Sequence, residues 1–101
     1  MYSISLSPIA NQTFTVTIEN INYRVALRTI QGLTYMSVWA DGDELFQSQL
    51  CAPNAFVNPY NYVSVSGKFY FRCSDGQYPY FKNFGNTVEL FYYTAGEIAN
   101  A

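Results

Sequence analysis

The chain contains no histidine, and its 101 residues include only two cysteines and five basic residues. The absence of histidine removes the commonest general base, the usual partner of serine and cysteine nucleophiles, and the commonest metal ligand. The two cysteines, Cys51 and Cys73, are too few for a disulfide scaffold, and without histidine they do not form a zinc site. Glycines occur singly, so no phosphate-binding loop is present. The sequence therefore carries very little of the chemistry that enzymes use.

Charge is also scarce, because charged residues make up 12% of the chain against about 25% in an ordinary globular domain. The net charge of −2 gives no electrostatic reason to expect a nucleic-acid partner. No apolar run approaches the roughly 18 residues of a membrane helix, and MYSISLSP has neither the basic nor the apolar region of a signal peptide. We therefore expect reduced thiols in a cytoplasm, and a surface partly covered by something other than water.

Alternation of apolar and polar residues runs through most of the chain and indicates strands. In Gln12–Ile18 every second residue is apolar, and residue pairs that suit two-residue hairpin loops follow at regular intervals. We therefore predict a four-stranded antiparallel meander from Gln12 to about Leu50. Its turns are Glu19-Asn20, Gln31-Gly32 and Asp41-Gly42. The residues predicted to face each other on the core side are Ile18 with Ile21, Val16 with Tyr23, Phe14 with Val25, Leu27 with Met36, Val25 with Val38, Tyr23 with Ala40, and Val38 with Leu45.

The same register places two mid-strand arginines against aromatic side chains on the opposite face of the sheet. Arg24 lies across from Trp39, and Arg28 lies across from Tyr35. Such pairs allow a guanidinium to stack on a ring, which is worth about 0.5–2 kcal/mol each. Two interpretations stay open: a solvated face with two stacked pairs, or a contact surface, since Trp, Tyr and Arg concentrate at interface hot spots. In both interpretations the arginines are partners of aromatic rings and not catalytic groups.

The second half of the chain combines irregular segments with further strands. CAPNAFVNPYNY, from Cys51 to Tyr62, has two prolines, three asparagines and no alternation, which predicts a loop. Strands are expected at Val63–Ser66, Lys68–Cys73 and Thr87–Thr94, with a turn at Ser74-Asp75-Gly76. The last strand has apolar or aromatic residues on both faces, so we expect it to be central or covered.

Taken together, these elements predict an all-β fold in which the antiparallel meander closes into a small β-sandwich or barrel of about seven or eight strands. The domain is expected to span residues 1–94, followed by a short tail at residues 95–101.

Aromatic residues make up 19% of the chain, with ten Tyr and eight Phe. A domain of this size cannot fully bury so many rings. Tyr suits surfaces where its ring makes apolar contacts and its hydroxyl reaches water. The aromatic loops either fold over the ends of the sandwich or form a contact site. Low charge favours a protein–protein interface over a sugar-stacking platform, because sugar sites generally also need carboxylates and amides. The candidate contacts in the loops are Tyr60, Tyr62, Tyr78 and Tyr80.

One carboxylate cluster and the thiols are the remaining candidates for chemistry. Asp41, Asp43 and Glu44 could bind calcium weakly or act as an acid/base pair with a distant partner, but a role in the hairpin turn is favoured. Cys73 is in phase with the phenylalanines of its strand, which predicts a small core residue. We therefore expect no catalytic residue, no metal site and no cofactor.

Two stretches of the chain resemble a known family. They are PIANQTFTVTIENINYRVALR near the start, and SGKFYFRCSDGQYP with FGNTVELFYY near the end. They are similar to the small phage tail proteins described as baseplate plug proteins in contractile-tailed cyanophages. The resemblance runs from about Ile4 to Tyr93. Its features are Pro8, the strand opening at Asn11–Phe14 with its hairpin, the Asp75-Gly76 turn, and Gly85 before the closing aromatic strand.

This resemblance implies a non-enzymatic structural protein of the virion, located in the hub or plug region of the baseplate near the tail axis and assembled in the host cytoplasm. Its implied partners are other phage tail and baseplate proteins. A homo-oligomer within the assembly is a further expectation, and the charge and the lack of a long apolar run give no reason to expect nucleic acid or a membrane as a partner. From the residues alone, the alternative is a free-standing binding module, such as a carbohydrate-stacking β-sandwich. An enzyme comes third.

Overall fold

A computed structural model of the protein describes residues 1–57, 67–94 and 96–97. Within these residues eight strands form two four-stranded antiparallel sheets that pack face to face without closing into a barrel. This confirms the all-β prediction and favours its sandwich form. The first sheet has the order β2-β3-β4-β5 and the second has the order β1-β8-β7-β6. The strands are β1 (Tyr2–Ile4), β2 (Gln12–Ile18), β3 (Ile21–Ile30), β4 (Leu33–Ala40), β5 (Asp43–Leu50), β6 (Ala55–Phe56), β7 (Lys68–Cys73) and β8 (Val88–Tyr93).

The first sheet is the predicted meander. Each of its three turns, Glu19-Asn20, Gln31-Gly32 and Asp41-Gly42, has two residues with φ between 49° and 90°. Positive φ at both positions matches the turn to the twist of the strands on either side. All predicted core-face pairs between β2 and β3 and between β3 and β4 are confirmed.

The predicted pairing of Val38 with Leu45 is wrong. Val38 lies opposite Phe46, because Leu45 is an extra residue that forms a β-bulge in β5. Phe46 is buried, and Leu45 is half-buried and packs against the core. The bulge therefore lets both side chains contribute to the core, which strict alternation would not allow.

A second register shift follows further along β5. Met36 pairs with Gln49, and the extra residue is Ser48, which has φ of 50° and whose backbone N–H donates to the Ser37 hydroxyl (2.9 Å). Bulges in an outer strand bend it and disrupt its ladder. The β5 edge of the first sheet is consequently irregular.

The second sheet contains two strands that the sequence pattern did not predict. β1 pairs with β8, with Tyr2 opposite Tyr92, so β8 lies between β1 and β7 and the prediction of a central strand is confirmed. β6 lies inside the segment that was predicted to be a loop, and Phe56 pairs with Tyr70. The Asn54 side chain holds the start of β6 next to β7. Its Oδ1 accepts the N–H of Cys73 (2.9 Å), and its Nδ2 donates to the C=O of Cys73 (3.1 Å). The predicted strand at 63–66 lies outside the described residues.

The core lies between the sheets and is rich in aromatic rings. Phe69 and Phe71 of β7 are fully buried, as predicted from their phase, and Cys73 is buried beside them. The chain turns after Cys73, whose C=O accepts the N–H of Gly76 (3.1 Å), as predicted. In the part of the chain that the structure describes, no helix is long and apolar enough to cross a membrane.

Candidate interaction surface

The outer face of the first sheet carries the Arg24–Trp39 pair that the register predicted. β3 and β4 place these residues directly opposite each other, and the Arg24 Cζ atom lies 4.3 Å from the centroid of the Trp39 ring. Arg24 is exposed and Trp39 is half-buried. A guanidinium at this distance is attracted to the ring face, typically by about 0.5–1 kcal/mol at an exposed site. The stacking holds a large amphipathic side chain in one orientation on the surface.

An open cavity of about 490 Å³ lies beside this pair. Two hydrogen bonds join Asn22 and Asp41, which both line this cavity. The Asn22 N–H donates to Asp41 Oδ1 (2.9 Å), and the Asp41 N–H donates to the Asn22 C=O (2.8 Å). Asp41 therefore stabilises the hairpin turn, which is the role that the sequence favoured. It also places a carboxylate in the same cavity as the Arg24 guanidinium. The lining residues are Thr15, Asn22, Arg24, Trp39, Asp41 and Gly42.

Sequence reasoning missed that an amide and a carboxylate adjoin the tryptophan. The signal was present in the register, because Tyr23 opposite Ala40 places Asn22 next to Asp41 across the strands. The arrangement offers one aromatic face, one positive group, one negative group and one amide within a single cavity. Such a set can bind a polar segment of a protein partner or a hydroxyl-rich ligand.

The second predicted pair is aligned but is not stacked. Arg28 lies opposite Tyr35, yet among the residues that the structure describes no ring contact joins them. Arg28 instead lines a second open cavity of about 320 Å³ together with Asn11, Thr29 and Ile30. Alignment in a register places two side chains within reach, but side-chain rotamers decide whether they touch.

The aromatic loop after β7 is tied to the first sheet. The buried Thr34 hydroxyl donates to the C=O of Pro79 (2.7 Å), which fixes the residues on either side. Tyr80 is half-buried and its ring packs on Phe81 at 4.7 Å between centroids. Tyr78 is 49% exposed. Of these two candidates, Tyr78 is therefore available to a partner, whereas Tyr80 belongs to a small cluster at the end of the sandwich.

Two exposed isoleucines lie near this end and were not predicted as contacts. Ile30 is the last residue of β3 and is 52% exposed, and Ile9 in the connector before β2 is 50% exposed. A hydrogen bond joins their chain neighbours, because the Thr29 hydroxyl donates to the C=O of Ala10 (3.0 Å). The alternation of β3 put Ile30 on the outer face with Arg28, so its exposure could have been predicted. The remaining candidates, Tyr60 and Tyr62, lie outside the described residues.

The two thiols were the candidates for a nucleophile. Cys51 and Cys73 are free and buried, and burial raises the pKa of both thiols, so neither is a ready nucleophile. Within residues 1–57, 67–94 and 96–97, no cluster of three or more Cys, Asp or Glu side chains could hold a metal ion.

Comparison with known proteins supports the resemblance seen in the sequence. A family model described as cyanophage baseplate Pam3 plug gp18 matches residues 1–95 of the 101-residue chain. No curated protein matches the chain. The match includes both sheets and the loops between them, and it makes the protein a structural component of the phage tail. The chain belongs to the family of cyanophage baseplate plug proteins.

Proposed function

We propose that the protein is a non-enzymatic component of the baseplate hub or plug region, near the tail axis, that acts through protein–protein contacts with other tail and baseplate proteins. The family assignment supports the baseplate location. The observation that carries the mode of action is the outer face of the first sheet, where Arg24 holds Trp39 half-exposed beside an open cavity. Tryptophan and arginine in this arrangement are typical of interface hot spots.

The scarcity of charge agrees with permanent contacts. A chain in which only 12% of the residues are charged is poorly suited to a free-standing protein but suits one whose neighbours cover its surface. Tyr78 and the isoleucines at the same end of the sandwich would supply further apolar area. The free thiols are consistent with assembly in the host cytoplasm.

Quantitative mass spectrometry of purified tailed particles tests this function. We expect a few copies of the chain per particle, in a fixed ratio to hub proteins that does not change when particles are washed in high salt. Washing matters as a control because apolar contacts resist salt and adventitious ionic binding does not. Absence from washed particles would contradict the proposed function.

A second candidate, a carbohydrate-binding module, is supported by one specific observation. The cavity brings the amide of Asn22 and the carboxylate of Asp41 beside Trp39, which supplies the hydrogen-bonding groups that a sugar site needs. Trp39 is the only tryptophan, so fluorescence excited at a wavelength that the ten tyrosines do not absorb reports on this cavity alone. A saturable fluorescence change on titration with oligosaccharides would favour this candidate, and no change would remove it.

A further inference from the structure

Within residues 1–57, 67–94 and 96–97, no strand pairs with the outer edge of β2 at any point along its length. It pairs with β3 on one side and forms the outer strand of the first sheet. Ile18 and Ile21 close a two-residue hairpin, and in such a hairpin the hydrogen-bonded pairs alternate from the closing pair onward. Thr13, Thr15 and Thr17 therefore direct their N–H and C=O groups away from β3. Among the described residues, none of these backbone groups bonds to another segment.

The other outer strands carry features that hinder pairing with another chain. β5 begins with Asp43 and Glu44 and contains two bulges. β1 has three residues and β6 has two. Charge, bulges and short length are the usual protections of a sheet edge. The seven residues of β2 have none of these protections, because they include no charged residue, no proline and no bulge.

The sequence of β2 is complementary to itself. Residues Thr13 to Thr17 read Thr-Phe-Thr-Val-Thr, an order of polar and apolar residues that is the same in both directions. When two such strands pair antiparallel about Thr15, Thr15 faces Thr15 of the second copy and Thr13 faces Thr17. Every outward backbone group then finds a partner, and the threonine side chains line one face as cross-strand pairs.

The apolar side chains support the same register. Phe14 and Val16 lie on the core face and are only half-buried in the single chain, because the sheet ends at β2. In the pairing about Thr15, Phe14 of each copy lies opposite Val16 of the other. Each side chain would cover the other across the seam, which removes apolar surface from water.

We propose that β2 pairs with β2 of a second copy of this chain across a two-fold axis, so that the two first sheets join into one continuous antiparallel sheet. The symmetric order of residues 13–17 selects a second copy as the partner, because a two-fold axis requires a strand that matches itself. The inference does not rest on the proposed function, since it concerns the purified chain in solution.

Light scattering coupled to size-exclusion chromatography, over a range of concentrations, tests the dimer on the full chain. Thr15→Pro removes the central outward N–H without touching the ladder between β2 and β3, where that N–H has no role. We expect dimers of the unchanged chain and monomers of Thr15→Pro. The matched control, Thr15→Val, keeps the N–H and the branched side chain and should remain dimeric. A monomeric unchanged chain at all concentrations, or a dimer that persists in folded Thr15→Pro, would overturn the proposal.

A disulfide test reports on the register and covers the case in which Thr15→Pro fails to fold. Facing residues of a hydrogen-bonded antiparallel pair have Cα atoms about 5.5 Å apart, a distance that a disulfide can span. Thr15→Cys should therefore form a covalent dimer on mild oxidation, whereas Gln47→Cys on the opposite edge should not. The native thiols are buried and do not compete. If Thr15→Cys stays uncrosslinked alone but a reagent that links thiols to amines joins it to a different protein in tail particles, β2 receives a partner's strand and the second copy is excluded.

Discussion

The hydroxyl of Tyr23 lies 2.8 Å from the hydroxyl of Tyr92, and this hydrogen bond joins the two sheets through the middle of the core. Both side chains are buried, and their ring centroids are 5.3 Å apart. Phe69 packs edge-on against both rings, at 5.5 and 5.2 Å. Each hydroxyl gives the other a hydrogen-bond partner in an apolar interior, so the pair specifies how the sheets face one another.

Removing one member of this pair should destabilise the fold. Tyr23→Phe deletes a hydroxyl and leaves that of Tyr92 with its backbone bond to Gly67, so we expect a loss of about 1–2 kcal/mol in the free energy of unfolding. Tyr92→Phe should cost more, because it loses both bonds. The double variant should cost less than the sum of the two, since the pair is one interaction. Urea denaturation measures all three, and additive losses would show that the hydroxyls do not interact.

Stability should fall at alkaline pH. Burial raises the pKa of Tyr23 and Tyr92 above the value of about 10 that tyrosine has in an unfolded chain, and burial raises the pKa of Cys51 above its usual value of about 8.5. The unfolded chain therefore releases these protons first as the pH rises. The stabilisation is complete below about pH 8 and decreases above it, most steeply beyond about pH 10.

Denaturation midpoints measured from pH 7 to pH 11 check this dependence. The double variant Tyr23→Phe, Tyr92→Phe should lose less stability between pH 9 and pH 11 than the unchanged chain, because its buried rings do not titrate. Tyr78→Phe is the matched control, since its ring is 49% exposed, and it should follow the unchanged chain. If stability fell by the same amount with pH in all three proteins, the loss could not be attributed to Tyr23 and Tyr92.

Glycine at position 67 should be required by packing against Tyr92. A Cβ atom built there would overlap the hydroxyl oxygen and the Cζ atom of Tyr92. Gly67→Ala must therefore displace the ring that holds the sheets together, and we expect a loss of about 1–3 kcal/mol. Gly96→Ala is the control, because none of the described residues has an atom within 4 Å of its added Cβ, and it should change stability by less than about 0.5 kcal/mol. Equal thermal denaturation of both variants would show that the ring moves aside freely.

Trp39→Ala should weaken incorporation into tail particles while the isolated chain stays folded. Trp39 lies on the outer face, so its truncation costs little core packing, but it removes the aromatic anchor of the candidate surface. The copy number per particle, measured by mass spectrometry, should drop, and circular dichroism should be unchanged. Trp39→Phe keeps a ring under Arg24 and should retain more incorporation. Normal copy number for Trp39→Ala would remove this face from the contacts.

Sequence pattern predicted the first sheet well because its information is local. Two-residue turns and a side-chain period of two leave a single register that puts every apolar pair on one face. Arg24 is across from Trp39 for that reason alone. The pattern failed at β5, where Leu45 and Ser48 are extra residues, because the packing of Phe46 and Leu45 under the second sheet decides where a bulge is tolerated.

The sequence by itself determined the strand periodicity, the positions of the tight turns, the register of the meander and the scarcity of catalytic groups. Only the tertiary structure decided which residues distant in the chain meet. β1 became a strand because β8 offered an edge to it, and Tyr23 found Tyr92 because the sheets face each other. Periodicity acts along the chain over a few residues, whereas packing of two sheets depends on the shapes of both faces at once.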